Sequence, residues 1–400
     1  MTRNGVREYI EAIQGRYAKG SRGEKGALLE EASRVTGYHR KALTRLLGGK
    51  SRRRVRRADE TRRTKYGVEL MEPLVTVWEA LGRPGAKRLQ PFLPEVVPHM
   101  ERHGELAIDE ARRTLLLEAS AATIDRLLHR YRGRTGRRPW TSHHASDAQH
   151  EVALRTAGEW LDVRPGAFQA DLVHHCGEST AGHYITSLVS VDVATTWTVL
   201  EVIWGKASAP VCAGLQRGKV RLPFTLRELH TDNGGEFMSW VMITWARREQ
   251  VQLTRGRPYR KNDQSWVEQR NWTAARRIVG YQRFDTRAAY RVMQRLYRLL
   301  ELYLNFFQPV RKVVARSEAG ARRTRQFDRA QTPYQRLLAL DILDAATHAR
   351  LQAQYEALNP AQLRREIDAT LQSLFKLASP TPASVTINVR HHTDFGNQPS

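Results

Sequence analysis

The sequence predicts a multidomain α and α/β protein, with helix-turn-helix domains at the N-terminus, a mixed-sheet core and a mostly helical C-terminal region. Three observations lead there. Apolar residues recur at helical spacing before residue 130, β-branched and aromatic runs begin near 160, and basic segments with Gly and Pro punctuate the boundaries. Four hundred residues also exceed what one ordinary core holds.

Residues 1–49 read as a helix-turn-helix DNA-binding domain. Tyr9, Ile10, Ile13 and Tyr17 share a helical stripe, glycines over 20–26 break it, and Ala27, Leu28, Leu29 and Ala32 resume it. Gly37 then turns the chain into a basic helix whose Tyr38, His39, Arg40, Lys41 and Arg45 could meet a major groove. A plain helical hairpin would share this pattern; the charge favours DNA.

Residues 50–66 form a basic linker. Nine Lys or Arg fall within 50–65 against Asp59 and Glu60, and a run so dense repels itself until it meets phosphates. Arg52, Arg53, Arg54, Arg56 and Arg57 are its candidate DNA contacts. Residues 67–131 read as a second helical, helix-turn-helix-like domain, although a purely structural bundle fits as well. Its last helix starts at Ser120, buries Ile124, Leu127 and Leu128, and offers Thr123 and Arg126 to DNA. A second basic linker covers 132–159.

The core spans 160–310. Strands are predicted over 167–173, 184–191 and 196–204, then a helix over 208–218, a strand over 226–231 ending at Asp232, a helix over 235–249, a strand over 251–254 and a helix over 264–281. A three-strand meander followed by alternating helix and strand is a mixed α/β layer. An amphipathic helix over 286–307 stops at Pro309, and residues 311–332 form a basic connector. Thr332-Pro333 and Asn359-Pro360 each resemble an N-cap followed by proline, predicting helices over 333–355 and 360–377 within a C-terminal region of 333–378. A flexible tail follows over 379–400.

Composition narrows the partners. The 65 Lys and Arg against 41 Asp and Glu leave a net charge of +24, which a polyanion explains. Nucleic acid leads and an anionic membrane surface is the rival, yet no apolar run approaches the roughly 18 residues of a membrane span. The N-terminus lacks a signal-peptide apolar region, so the chain is expected in the cytoplasm. Cys176 and Cys212 are too few for a disulfide framework or a thiolate zinc site and read as small buried residues. Adjacent His pairs at 143/144, 174/175 and 391/392 read as polar linker or edge residues.

Three acidic residues carry the chemistry: Asp171 ending Ala-Phe-Gln-Ala-Asp, Asp232 in His-Thr-Asp-Asn-Gly-Gly-Glu, and Glu268 ending Lys-Asn-Asp-Gln-Ser-Trp-Val-Glu. Asp-Asn-Gly is a common hairpin signal. Here the helical pattern that follows leaves Asp232 at the carboxyl end of a strand, where ligands usually bind. Glu268 sits beside apolar stripes on its helix, and a cation bound with the other two carboxylates would compensate its charge. Asp192, Asp263 and Glu236 default to structural roles.

With these motifs, and 35 residues between Asp232 and Glu268, the chain resembles the DDE transposases of bacterial insertion sequences, which have a retroviral-integrase-type core. The resemblance covers about 160–310 well and the N-terminal part more loosely. It implies a ribonuclease-H-like catalytic core in which Asp171, Asp232 and Glu268 hold two Mg²⁺ ions, with Mn²⁺ as a substitute. Asp171 would bridge the ions, and Asp232 and Glu268 would complete one site each. It also implies that Lys261 and Asn262 contact DNA near the site, while Arg257, Arg260 and Arg270 could grip phosphates nearby.

The expected partners are double-stranded DNA, as element ends and target, and further copies of the chain in a homodimer or larger assembly; the expected place is the bacterial nucleoid. The expected activity is cleavage at the element ends and joining of 3′-hydroxyls to target DNA. A nuclease without strand transfer and a DNA-binding repressor with an inactive core are the alternatives. One feature departs from retroviral integrases: two cysteines cannot build their N-terminal zinc module.

Overall fold

The structure, a computed structural model, describes residues 3–48, 66–129, 152–155, 160, 163–257, 261–319 and 322–379. The predicted basic linker with Arg52, Arg53, Arg54, Arg56 and Arg57, most of the second linker, Arg260, and the tail beyond Ser379 lie outside the described residues. The chain divides into two compact units, Met1–Lys65 and Tyr66–Ser400.

The first unit consists of α1 (Arg3–Lys19), α2 (Arg22–Thr36) and α3 (Arg40–Leu47). Where glycines predict a break over 20–26, the chain makes only a short corner. Ser21 and Glu24 cap each other's backbone N–H groups, so α2 starts at once despite Gly23 and Gly26. Gly37, at φ 72°, ends α2 in the left-handed conformation that a side chain would oppose. Ile13, Leu29, Ala32, Leu43 and Leu47 close a small core and leave Tyr38, His39, Arg40, Lys41 and Arg45 exposed.

The second unit opens with α4 (Met71–Ala80), α5 (Ala86–Leu89), α6 (Leu93–Arg102), α7 (Glu110–Glu118) and α8 (Ala121–Leu128). The sequence sets 67–131 apart as its own domain; the structure joins it to the sheet. Trp78, Phe92 and Val97 belong to one apolar cluster with Leu188, Val202 and Phe307. Polar ties seal the junction, since Tyr303 donates to the Ala80 carbonyl and Gln308 to the Leu81 carbonyl, both at 2.7 Å.

Six strands form the sheet: β1 (Ala153–Leu154), β2 (Ala167–His174), β3 (Ile185–Asp192), β4 (Thr198–Trp204), β5 (Glu228–Thr231) and β6 (Gln252–Arg255), in the order β1-β6-β5-β2-β3-β4. β2, β3 and β4 are an antiparallel meander, whereas β5 runs parallel to β2 and β6 parallel to β5. The connections α9 (Ser208–Val220) and α10 (Trp240–Arg248) alternate with the parallel strands. This is the mixed α/β layer the sequence predicts. β3 is buried at every position, so it shows no polar alternation. The two-residue β1, inside the stretch predicted as a basic linker, pairs with β6 and is too short to leave a sequence pattern.

After β6 the chain passes through a 3₁₀ turn (Lys261–Gln264), α11 (Ser265–Arg270), a π-helical segment (Asn271–Arg276) and α12 (Arg277–Val279). Then come α13 (Arg287–Phe307), β7 (Val313–Ala319), β8 (Arg322–Phe327), α14 (Pro333–Leu338), α15 (Ala345–Ala357) and α16 (Pro360–Phe375). The predicted connector over 311–332 is thus largely a two-stranded hairpin, its pattern hidden by charge. The predicted helix over 333–355 is two helices, because Asp341 adopts φ 47° and Asp344 caps a new start. No described helix is long and apolar enough to cross a membrane.

Gly166, at φ 104°, fixes where β2 begins. Its carbonyl accepts from the N–H groups of Arg227 and Glu228 at 2.8 and 3.0 Å, and its N–H donates to Asp192 at 2.8 Å. A Cβ there would lie 2.3 Å from the Thr225 carbonyl oxygen. Gly166→Ala should cost at least roughly 1–3 kcal/mol of backbone strain, read as a lower urea midpoint at unchanged slope.

Candidate active site

Gln169 and Asp171 are two residues apart on β2 and therefore share a face. Gln169 is fully buried, and its side chain meets the start of α11. Its Oε1 accepts from the N–H groups of Trp266 and Val267 at 3.1 and 3.3 Å, and its Nε2 donates to the Asp263 carbonyl at 3.0 Å. Those N–H groups are first-turn donors with no helical partner, and the N-cap residue Gln264 supplies no side-chain bond. The strand thus caps the helix that carries Glu268.

A second tie lies one turn further on. Asn271 donates from Nδ2 to Asp171 Oδ2 at 2.6 Å, and Asp171 Oδ1 accepts from the Leu172 N–H at 2.7 Å. Glu268 lies between the two ties and is exposed. Asp232 follows β5 directly, and its Oδ1 accepts from the Gly234 N–H at 3.0 Å, a local turn that leads into α10. β5 has parallel neighbours on both sides, so Asp-Asn-Gly does not close a hairpin here. Asn233 secures the loop by donating to the Gly256 carbonyl at 2.9 Å and accepting from Arg255 at 3.1 Å.

Burial pushes Asp171 up to about 7, and Asp232 and then Glu268 add repulsion, against the opposing hydrogen bonds from Leu172 and Asn271. A strand, a strand end and a helix thus bring three carboxylates into one another's field. Among the described residues, no three His, Cys, Asp or Glu side chains cluster so as to hold one metal ion. All-carboxylate oxygen donors in a field of like charge suit a hard divalent cation.

The other acidic residues have structural partners. Asp192 is buried and accepts from the Thr195 N–H and hydroxyl at 2.7 and 2.6 Å, as well as from Gly166. Asp263 is also buried and holds Arg257 through Nε and Nη2 at 2.9 and 3.0 Å. Arg257, a predicted phosphate contact, keeps 44% of its side chain exposed beside that pairing.

The remaining predicted DNA contacts vary in exposure. Arg270 is only 7% exposed and donates to the Thr196 carbonyl at 3.2 Å. Thr123 is buried, caps with Ser120 and accepts from Arg126 at 3.1 Å. His39 caps α3 by accepting from the Lys41 N–H at 3.3 Å, and Arg40 pairs with Glu30 at 3.3 Å. Lys261 and Asn262 open the 3₁₀ turn before α11.

The histidine pair at 174/175 departs from its predicted edge or linker role, because His174 ends the central strand β2 and His175 follows it into the interior. His175 is fully buried, bonds Ser187 Oγ at 2.6 Å, and is pushed down to about 3 by burial and Arg276. Gln169 and Asn271 escape the sequence reading. Their signal is spacing: Gln169 stands two residues before Asp171 on a strand, and Asn271 three after Glu268 on a helix, so each shares a face with a carboxylate.

Comparison with known proteins adds a relative. The chain is 39% identical over 329 residues to the uncharacterized protein y4rM of Sinorhizobium fredii, a match spanning 80% of this chain and 91% of that protein. This chain belongs to the y4rM family. No protein-family model matches it. Among solved structures, it is similar to the catalytic core domain of BIV integrase, at 20% identity, covering 47% of this chain and 99% of that one, with a TM-score of 0.28. It is also similar to a simian T-cell lymphotropic virus intasome in complex with the PP2A regulatory subunit B56 gamma, at 16% identity, covering 53% and 70%, with a TM-score of 0.30.

The raised Asp171 carboxyl has a consequence for stability. The folded chain keeps a proton that the unfolded chain releases near pH 4, so the stability this group contributes is full below that pH and falls as pH rises towards 7. Without divalent metal, Asp171→Asn should melt above the parent at pH 8, and the gap should close towards pH 4 in thermal melts across that range.

Proposed function

We propose that this chain is a DDE transposase that binds the ends of its own element, cleaves there and joins 3′-hydroxyls to target DNA. One observation carries the reading: Asp171 on β2, Asp232 at the end of its parallel neighbour β5, and Glu268 on a helical path tied to Asp171 through Asn271 at 2.6 Å come from far apart in sequence to one end of the sheet and α11. In this reading the three carboxylates hold two Mg²⁺ ions, which when bound would activate the attacking oxygen and stabilise the leaving oxygen of an in-line phosphoryl transfer.

The chain's own residues do the positioning. Gln169 fixes the first turn of α11 against β2, so Glu268 cannot shift along the strand without breaking three hydrogen bonds. Asn271 orients Asp171 by holding one oxygen while the Leu172 N–H holds the other. The turn at Gly234 aims Asp232 from the end of β5. The exposed Tyr38, Arg40, Lys41 and Arg45 of the first unit supply a basic helix for duplex recognition. Two ends must be joined in one event, so the active form is a homodimer or larger assembly on DNA.

The test supplies the full-length chain with Mg²⁺, a pre-cleaved element end and a plasmid target. Covalent joining is the expected product, and hydrolysis without joining would defeat the proposal. Asp232→Asn and Glu268→Gln should abolish joining while DNA affinity holds; intact activity in either variant would also defeat it. Asn271→Ala should lower the joining rate by about 10–100-fold with end binding unchanged. Asn271→Asp should not rescue it, because a fourth carboxylate adds repulsion where the amide donates.

A further inference from the structure

Beside α11 lies a cavity of about 810 Å³ within the second unit. Gln269, Arg270, Thr273 and Arg277 line one wall, a stripe of the same helical path that carries Glu268. The six arginines lining it fall into two groups. Arg83 pairs with Glu79 at 3.0 Å, Arg364 with Asp368 at 2.5 Å, and Arg365 with Glu105 at 2.6 Å. Arg88, Arg270 and Arg277 have no carboxylate partner among the described residues.

These three form a like-charged cluster. Arg88 is held below its ordinary value first by burial and then by Arg277, and its own charge acts on Arg270. Arg270 is buried, Arg88 half-buried and Arg277 exposed at the rim; a buried cation is ordinarily paired, since removing an uncompensated charge from water is costly. Thr196 adds a second, independent sign. It lines the same cavity at φ 64°, a left-handed backbone that a β-branched residue strongly resists. Its hydroxyl is buried with no hydrogen-bond partner, while its carbonyl accepts from Arg270 at 3.2 Å. Strain and an unmatched hydroxyl beside unmatched guanidiniums are the marks of a binding site.

We propose that this chamber binds a phosphate group through Arg88, Arg270 and Arg277 and the hydroxyl of Thr196. A single carboxylate would balance only one of the three charges, whereas a phosphate brings more than one negative charge and several oxygens that match guanidinium forks. The volume falls within the roughly 300–1,000 Å³ of small-molecule sites, so the chamber admits a phosphate attached to a nucleoside as well as a free one. The inference does not rest on the catalytic proposal, because none of the three proposed metal-binding carboxylates lines the chamber.

The test is calorimetric titration of the full chain, without divalent metal, at fixed ionic strength. Pyrophosphate probes a free phosphate and a 5′-phosphorylated dinucleotide probes a nucleic-acid end. Binding of either by the parent is expected, and the tighter of the two names the source. Arg88→Gln should weaken it at least about tenfold, as loss of a charge-assisted hydrogen bond does. Lys87→Gln, which removes the same charge from the exposed neighbour, should leave affinity within about twofold, since an exposed charge is screened. Free of ligand, Arg88→Gln should melt no lower than the parent, because it relieves repulsion. The proposal is overturned if neither probe binds, if Arg88→Gln binds as the parent does, if both variants lose affinity alike, or if ligand-free Arg88→Gln melts lower than the parent.

Discussion

The join between a sheet and a helix through one buried amide is the constraint on which the candidate site depends. Gln169 satisfies two first-turn donors and one preceding carbonyl, groups that would otherwise be buried without partners. An apolar residue could fill the same space but would leave those backbone groups unmet, each at a cost of about 1–3 kcal/mol. The position of Glu268 relative to Asp171 therefore follows from hydrogen-bond accounting more than from apolar packing, which tolerates sliding. Gly166 and Asp192 do for the start of β2 what Gln169 does for the start of α11.

Charge is handled in two contrasting ways inside the second unit. Near β4 and α13, Glu201 is ringed by Arg217, Arg221 and Arg298 at 2.9, 2.7 and 2.8 Å, and Glu301 shares two of those arginines. Every charge there has an opposite neighbour, and the network binds helix to sheet. On either side of α11 the pattern is inverted. Carboxylates act on carboxylates on one side, and arginines act on arginines on the other. Like charges held close to one another are a mark of sites that bind something.

Much of this was legible in the sequence. The strands of the core announce themselves through β-branched and aromatic runs, and Asp232 is marked by the strand before it and the glycines after it. What stayed hidden had physical causes. Gln169 looks like any polar residue in a strand until the helix that needs it is in place. β1 is too short to express a period, and its pairing is decided by β6. The hairpin over 313–327 is masked by arginines that resemble a linker. His175 is polar by type yet is buried just past the end of β2, where Ser187 Oγ meets one of its ring nitrogens. The helices over 67–131 were visible as elements, but their membership in the sheet's core rests on long-range packing that no local pattern records.

The π-helical turn from Asn271 to Arg276 also has a consequence for how the chain can vary. A wide turn spends more backbone per revolution than the α-helix on either side. The phase of α11, where Glu268 is aimed, is thereby decoupled from the phase of α12, where Val279 is buried and Arg277 reaches the chamber. Drift on the arginine-lined side can rotate one segment without swinging the acidic side chain off its mark, so two neighbouring surfaces of a single rod are free to evolve at separate tempos.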